Sequence, residues 1–258
     1  MNYGLYISAS GALTALHRQD VLSNNLANMD TAGFKPDLAV AMQRDPARIE
    51  DHLAFPSNVL LERLGGGVLQ APSRVSFAPG TPERTDGAFD MAIQGDGFFV
   101  VRSFDSSQGD SVRLTRDGRF TLDSQGRLVM ATTGYPVLDA KSKPITLPTD
   151  AQIRVDASGT IFADRVEVAK IAIVDVPDRT ALTKQGHSLF HADAATLDAR
   201  RPAAGTVMQG FIEGSGVDAF STMMAVTSAG REVDTNMSLI SQQDRMMERA
   251  INVFARLT

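Results

Sequence analysis

The C-terminal part of the chain carries a residue series in unbroken 4-3 spacing, and this pattern restricts the possible fold more than any other feature. Such a series lies along one face of a helix, and apolar residues at these positions are typical of a coiled-coil seam. Over about four heptads, it predicts a long C-terminal helix that packs against another helix. Its members are Val226, Gly230, Val233, Met237, Ile240, Asp244, Met247, Ile251 and Phe254.

The N-terminal segment from Leu5 to Met29 contains no proline, and its apolar residues also recur at helical spacing. It predicts a second long helix with apolar residues on two sides. One side carries Leu13 and Leu16, and the roughly opposite side carries Leu22, Leu26 and Met29. A helix that is apolar on two sides must be covered on two sides, so we expect more than one partner.

Polar residues interrupt both helical patterns. We expect the amides of Asn24, Asn25 and Asn28 to bond to the backbone or to neighbouring helices, or to cap ends locally. Gly33, at positive φ, and Pro36 then end the helix. A polar residue in a seam fixes register and partner number at a cost in stability, which favours assembly with other subunits. The alternative is that both helices pack on a globular body.

Between the helices, the hydrophobic period changes to a two-residue alternation broken by glycine, proline, asparagine and aspartate. We therefore predict strands on both sides of the turn Gly95–Gly97, short strands separated by Asp117-Gly118 and by residues 124–126, and a strand over 169–176. The expected fold is α+β, with terminal helices pairing as a coiled coil and a central, mainly antiparallel β domain. The predicted divisions are an N-terminal helix (1–35), an irregular or mixed arm (36–82), a β-rich domain (83–212) and a C-terminal helix (213–258).

The sequence offers no catalytic, cofactor or metal site. The chain has no cysteine, and its net charge of −5 argues against nucleic acid as a partner. His187 and His191 lack a third ligand at a recognisable spacing, and the glycine-rich stretches lack a phosphate-loop continuation. The N-terminus does not read as a cleaved Sec signal, and no apolar run reaches the length of a membrane span.

Four motifs together resemble the bacterial flagellar rod and hook family. They are SNNLANMDTAGFK (23–35), MAIQGDGFFVV (91–101), TRDGRFTLDSQGRLV (115–129) and QGFIEGSGVD (209–218). They span nearly the whole chain. The opening segment and the length favour the proximal rod proteins, with distal rod or hook-like subunits as the alternative. The C-terminal segment departs from the family pattern, since Val233 stands where many members carry an aromatic residue.

This resemblance implies a structural, non-enzymatic subunit of the periplasm-spanning rod, which transmits torque to the hook. Its partners would be copies of itself, other rod proteins and the flagellar type III export apparatus, with no small-molecule substrate and no cleaved signal peptide. The assembly interface would comprise Leu13, Leu16, Leu22, Asn24, Asn25, Leu26, Asn28, Met29, Val226, Val233, Met237, Ile240, Met247, Ile251 and Phe254. The alternatives from other classes are a secreted β-domain enzyme or ligand-binding module, and a periplasmic adhesin or muramidase-like partner.

Overall fold

The computed structural model describes residues 3–45, 49, 65–105 and 109–254, and the chain divides into two compact units. The helical unit comprises residues 1–27, 37–74 and 218–258, and the β unit comprises residues 28–36 and 75–217. In the described part of the chain, the α-helices are α1 (Tyr3–Ala27), α2 (Ala194–Asp198) and α3 (Ala219–Phe254), with a 3-10 turn at Arg179–Ala181.

The strands follow the order of the chain. They are β1 (Asp37–Gln43), β2 (Val68–Val75), β3 (Pro82–Arg84), β4 (Met91–Gln94), β5 (Phe98–Asp105), β6 (Gly109–Thr115), β7 (Phe120–Leu122), β8 (Leu128–Met130), β9 (Ile153–Val155), β10 (Thr160–Ala163), β11 (Val166–Lys170), β12 (Ile173–Asp175), β13 (Thr183–Lys184), β14 (Leu189–His191), β15 (Arg201–Pro202), β16 (Thr206–Gln209) and β17 (Phe211–Glu213).

In the helical unit, α1 packs against α3, and β1 pairs with β2. The two helices run antiparallel, because Gly4 lies beside Gln243 whereas Gly11 lies beside Asn236. The predicted arm therefore contains a pair of strands, and its Pro46 and Pro56 lie outside the described residues. No helix in the described part of the chain is both long and apolar enough to cross a membrane.

The first helix ends at Ala27, earlier than the predicted Met29. Residues 28–30 form a turn, in which the Thr31 N–H donates to the Asn28 carbonyl oxygen at 3.2 Å. Gly33 follows with a φ of 64°, as predicted. The helix ends here because this turn and Gly33 redirect the chain into the β unit.

The β unit is built around a six-stranded antiparallel sheet with the order β13-β14-β6-β5-β12-β15. A three-stranded sheet (β11-β10-β9) and the pairs β16-β4, β17-β3 and β7-β8 complete it. Alternate residues of β5 enter two separate hydrophobic cores, with Phe99 and Val101 in one and Phe98 and Val100 in the other. The central β5 is therefore covered on both faces, and the predicted α+β fold is confirmed.

The predicted strand over 169–176 is wrong, because the structure divides it between two sheets. β11 ends at Lys170, and β12 begins at Ile173. At the break, the Ile171 N–H donates to the Gly159 carbonyl at 2.9 Å, and the Ala172 N–H donates to the Leu138 carbonyl at 3.0 Å. Apolar periodicity does not reveal this exchange of partners, since Ile171 and Ala172 are both buried.

Asp117-Gly118 joins strands of different sheets, since β6 pairs with β5 and β14 whereas β7 pairs with β8. Asp117 accepts hydrogen bonds from the Arg119 backbone N–H at 3.1 Å and from its guanidinium group at 2.8 Å. A Cβ at Gly118 would lie 1.6 Å from the Met91 carbonyl oxygen. Glycine is therefore required here because of this close backbone approach.

We expect Gly118→Ala to lower the free energy of unfolding of the β unit by about 2–3 kcal/mol, because the backbone of Met91 must move. Gly134→Ala is the matched control, since its φ is 71° but nothing lies within 4 Å of an added Cβ. It should cost only about 1 kcal/mol from backbone strain. Urea unfolding followed by circular dichroism measures both, and equal losses would contradict the steric explanation.

Candidate functional site

The buried and half-buried residues of α3 include a row at 4-3 spacing that differs at alternate positions from the series predicted from sequence. A Cβ at Gly4 would lie 2.9 Å from Gln243 Nε2, and one at Gly11 would lie 2.9 Å from Asn236 Oδ1. The amide side chains thus occupy space left by glycines on α1. This row is Thr222, Val226, Ala229, Val233, Asn236, Ile240, Gln243 and Met247.

Four of the nine residues in the predicted C-terminal series therefore lie in this row, and the other five lie elsewhere. Val226, Val233, Ile240 and Met247 are half-buried, as is Gly230. Met237, Asp244 and Ile251 are exposed, and the side chain of Phe254 lies outside the described part of the chain.

The predicted residues of the N-terminal segment also separate into covered and uncovered positions. Leu22 and Leu26 are half-buried on α1, whereas Leu13, Leu16 and Asn24 are exposed. Asn28 and Met29 follow the helix and belong to the turn that begins the β unit.

Asn25 is a buried amide that ties the end of α1 to the start of β1. Its Nδ2 donates to the Asp37 carbonyl oxygen at 2.8 Å, and its Oδ1 accepts from the Asp37 N–H at 2.9 Å. Both polar functions of the side chain are thus satisfied within the helical unit. A buried amide paired in this way fixes the position of β1 relative to the helix.

Large apolar side chains are exposed along both long helices. Leu13 and Ile251 are each 67% exposed, and Phe220 is 75% exposed. An uncovered apolar surface of this extent is typical of a protein interaction site. Among the described side chains of the two helices, the exposed large apolar residues are Tyr6, Ile7, Leu13, Leu16, Phe220, Met223, Met224, Met237, Leu239, Met246 and Ile251.

Three buried charged residues inside the β unit, Lys35, Arg116 and Glu213, form a cluster that we call the Glu213 cluster. Lys35 Nζ lies 2.5 Å from Glu213 Oε1, and Arg116 Nη1 lies 3.1 Å from Glu213 Oε2. All three side chains are at most 3% exposed. Burial lowers the pKa of Lys35, and the charge and hydrogen bond of Glu213 act in the opposite direction.

Loss of one member of the buried Glu213 cluster should destabilise the protein far more than loss of one member of the surface ion pair in the helical unit. Arg18 and Glu232 are 3.4 Å apart, with side chains 48% and 47% exposed. Water screens such a pair, so it contributes about 0–1 kcal/mol. Removing one member of a buried pair, by contrast, leaves an uncompensated charge and costs about 3–5 kcal/mol.

The Glu213 cluster also gathers the chain segments that connect the two units in sequence. The Glu213 carbonyl oxygen accepts from the Gly33 N–H at 2.8 Å, and its Oε1 accepts from the Gly80 N–H at 2.9 Å. Lys35 Nζ donates to the Ala78 carbonyl at 2.8 Å. Residues 33–36, 75–80 and 213–216 are therefore held together within the β unit.

Lys35, Arg116 and Glu213 each lie in one of the sequence motifs, but the sequence does not show that they contact one another. The available signal was a charged residue in each of three short motifs that also carry apolar residues and glycine, namely GFK, LTRDG and FIEG. Among the described residues, no group of three histidine or acidic side chains is arranged to hold a metal ion.

Comparison with known proteins matches three segments of the chain. Residues 5–35 match the model described as flagella basal body rod protein, residues 92–163 match the flagellar hook protein FlgE/F/G D1 domain, and residues 208–253 match the flagellar basal body rod FlgEFG protein C-terminal model. Each segment contributes one member of the Glu213 cluster.

Full-length relatives carry the same family name. The chain is 31% identical to the flagellar basal-body rod protein FlgF of Rhizobium meliloti, with 97% of each chain covered. It is 31% identical to FlgG of Caulobacter vibrioides, over 95% of this chain and 96% of the relative. It is 29% identical to FlgF of Escherichia coli, again over 97% of each.

Proposed function

The chain belongs to the flagellar basal-body rod protein family, and we propose that its two long helices drive its polymerisation into the rod. It is a structural subunit of the basal body, and it assembles with other rod proteins. The observation that carries the proposal is the exposed apolar surface of α1 and α3. Contacts between unlike surfaces of neighbouring subunits propagate a helical filament when the rotation between them does not close a ring.

We propose that the predicted interface residues act in two groups. The half-buried residues, such as Leu22, Leu26 and Ile240, hold α1 and α3 of one subunit together as a coiled-coil pair. The exposed residues, such as Leu13 and Ile251, contact neighbouring subunits. The 4-3 spacing of the row on α3 and its antiparallel packing on α1 support this division.

We propose the same functional layout that the sequence predicts. Segments 1–35 and 213–258 contain the assembly helices, and segment 36–82 connects them to the β-rich domain of segment 83–212. We also propose that the subunit reaches the periplasm through the flagellar type III export apparatus. Loss of the periplasmic subunit in a strain without that apparatus would support this route, and its retention there would contradict it.

Within the family, we propose that the chain is the proximal rod protein, FlgF-like, with the distal, FlgG-like subunit as the alternative. The length and the opening segment support this assignment, although the relatives of both kinds fall in the same identity range. Electron microscopy of isolated basal bodies carrying a labelled subunit tests it. Label at the proximal end of the rod supports the assignment, and label at the distal end favours the alternative.

We expect the helices of the dilute monomer to be less stable than the β unit, because both hydrophobic core clusters found among the described residues lie within the β unit. Amides of α1 and α3 should therefore exchange with solvent at least about tenfold faster than those of β5 and β6. Hydrogen exchange measured by mass spectrometry on the purified monomer tests this expectation, under which the helices become fully ordered only when the subunit assembles. Protection of the helices equal to that of β5 would contradict it.

A further inference from the structure

A pocket of about 340 Å³ lies in the β unit, and no member of the Glu213 cluster lines it. Residues of β5, β11, β12 and β15 line it, together with the turn at 139–142. Two basic side chains, Arg200 and Arg201, line one part of it, and Lys170 lines another.

Two arginines converge on Ser142: Arg200 lines the pocket with it, and Arg102 reaches it from beyond the lining. Arg102 Nη2 donates to the Ser142 carbonyl oxygen at 2.8 Å, and Arg200 Nη2 lies 3.4 Å from Ser142 Oγ. Both arginines and Ser142 are half-buried. Ser142 adopts a φ of 60°, a left-handed conformation that is uncommon for serine and is held here by the tight turn.

Three cationic side chains and one acid line the pocket, since Lys170, Arg200 and Arg201 outnumber Asp139. In the part of the chain that the structure describes, neither Arg102 nor Arg200 forms an ion pair. The Asp139 carboxylate belongs to the turn, where its Oδ1 accepts from the Lys141 and Lys143 backbone N–H groups, each at 2.8 Å. Two half-buried guanidinium groups held at one residue repel each other, and an anion bound between them would offset that repulsion.

We propose that this pocket binds an oxyanion of the phosphate or carboxylate type. The guanidinium groups of Arg102 and Arg200 would donate to its oxygens, and the Ser142 hydroxyl would donate a further hydrogen bond. A guanidinium group suits this role because its planar set of donors matches the geometry of carboxylate and phosphate oxygens. The bound anion bridges the turn at 139–142 to the segment that contains Arg200 and thereby stabilises the β unit.

Titration of the full-length chain with inorganic phosphate, and separately with citrate, tests the proposal. Sodium chloride at matched ionic strength serves as the reference, because it supplies screening without an oxyanion. We expect saturable changes in the NMR amide shifts of residues 139–143 and 200–202 with at least one oxyanion, but not with chloride. The probe that saturates at the lower concentration identifies the preferred group, phosphate or carboxylate.

Arginine variants distinguish specific oxyanion binding in the pocket from general electrostatic screening by salt. Arg102→Gln or Arg200→Gln should weaken binding about ten- to hundredfold, since each loses a charged hydrogen bond to the anion. Arg154→Gln removes the same charge from the exposed surface of β9, away from this pocket, and should leave the affinity unchanged. Ser142→Ala keeps every charge and should weaken binding severalfold, which preserves the test if an arginine variant fails to fold. The absence of a saturable response, or equal weakening in the Arg154 variant, would overturn the proposal.

Discussion

Replacement of Glu213 with alanine should lower the free energy of unfolding of the β unit by about 3–5 kcal/mol. The change removes the acceptor shared by Lys35 Nζ and Arg116 Nη1 and leaves both cations buried without their acid. The Gly80 N–H also loses its acceptor. Urea unfolding followed by circular dichroism measures the loss.

Two further variants show whether the loss comes from the buried charges. Glu167→Ala removes an exposed glutamate from β11 and should change stability by less than about 0.5 kcal/mol. Lys35→Ala in the Glu213→Ala background should cost much less than it does in the wild type, because the two residues interact directly. Additive losses, or a Glu213→Ala effect as small as that of Glu167→Ala, would show that the cluster does not stabilise the β unit.

Leu13→Asp and Ile251→Asp should each abolish incorporation of the subunit into the rod while leaving the monomer folded. Both side chains are 67% exposed in the subunit, so the monomer gains no buried charge. In the filament, a carboxylate buried against an apolar surface would cost about 3 kcal/mol or more per contact, which weakens association at least about 100-fold. Motility of a deletion strain that carries each variant, with recovery of rods from those cells, measures the effect.

Val166→Asp is the matched control because Val166 is also 67% exposed but lies on β11 of the β unit. We expect this variant to assemble and to support motility. Circular dichroism of the purified variants checks that all remain folded. Normal rods with either helix variant would remove that position from the interface.

The sequence indicates the architecture well where hydrophobic periodicity is local. Apolar spacing predicts both long helices, and the turn residues predict the strands around Gly95–Gly97 and the hairpin of β7 and β8. These features depend on residues close together in the chain, so one segment contains the whole signal. The division of the strand over 169–176 depends instead on hydrogen bonds to distant segments, namely to the Gly159 and Leu138 carbonyls.

The side chains that join distant segments could not be paired from the sequence. Lys35 and Glu213 are 178 residues apart, and Arg116 and Glu213 are 97 apart. A charged residue inside an apolar stretch signals a buried partner but does not identify it. The packing of Asn236 over Gly11 was missed for a related reason, because apolar periodicity does not detect an amide that fills the space above a glycine.

Cysteine protection in isolated basal bodies tests the central proposal most directly, namely that the exposed apolar residues of α1 and α3 contact neighbouring subunits. The chain contains no cysteine, so Leu13→Cys, Ile251→Cys and Val166→Cys each introduce a single reactive thiol. A maleimide should label all three variants in the monomer. In the assembled rod, we predict that labelling at positions 13 and 251 falls at least about tenfold, because burial excludes the reagent. Labelling at positions 13 and 251 that is as rapid in the rod as in the monomer would contradict the proposal.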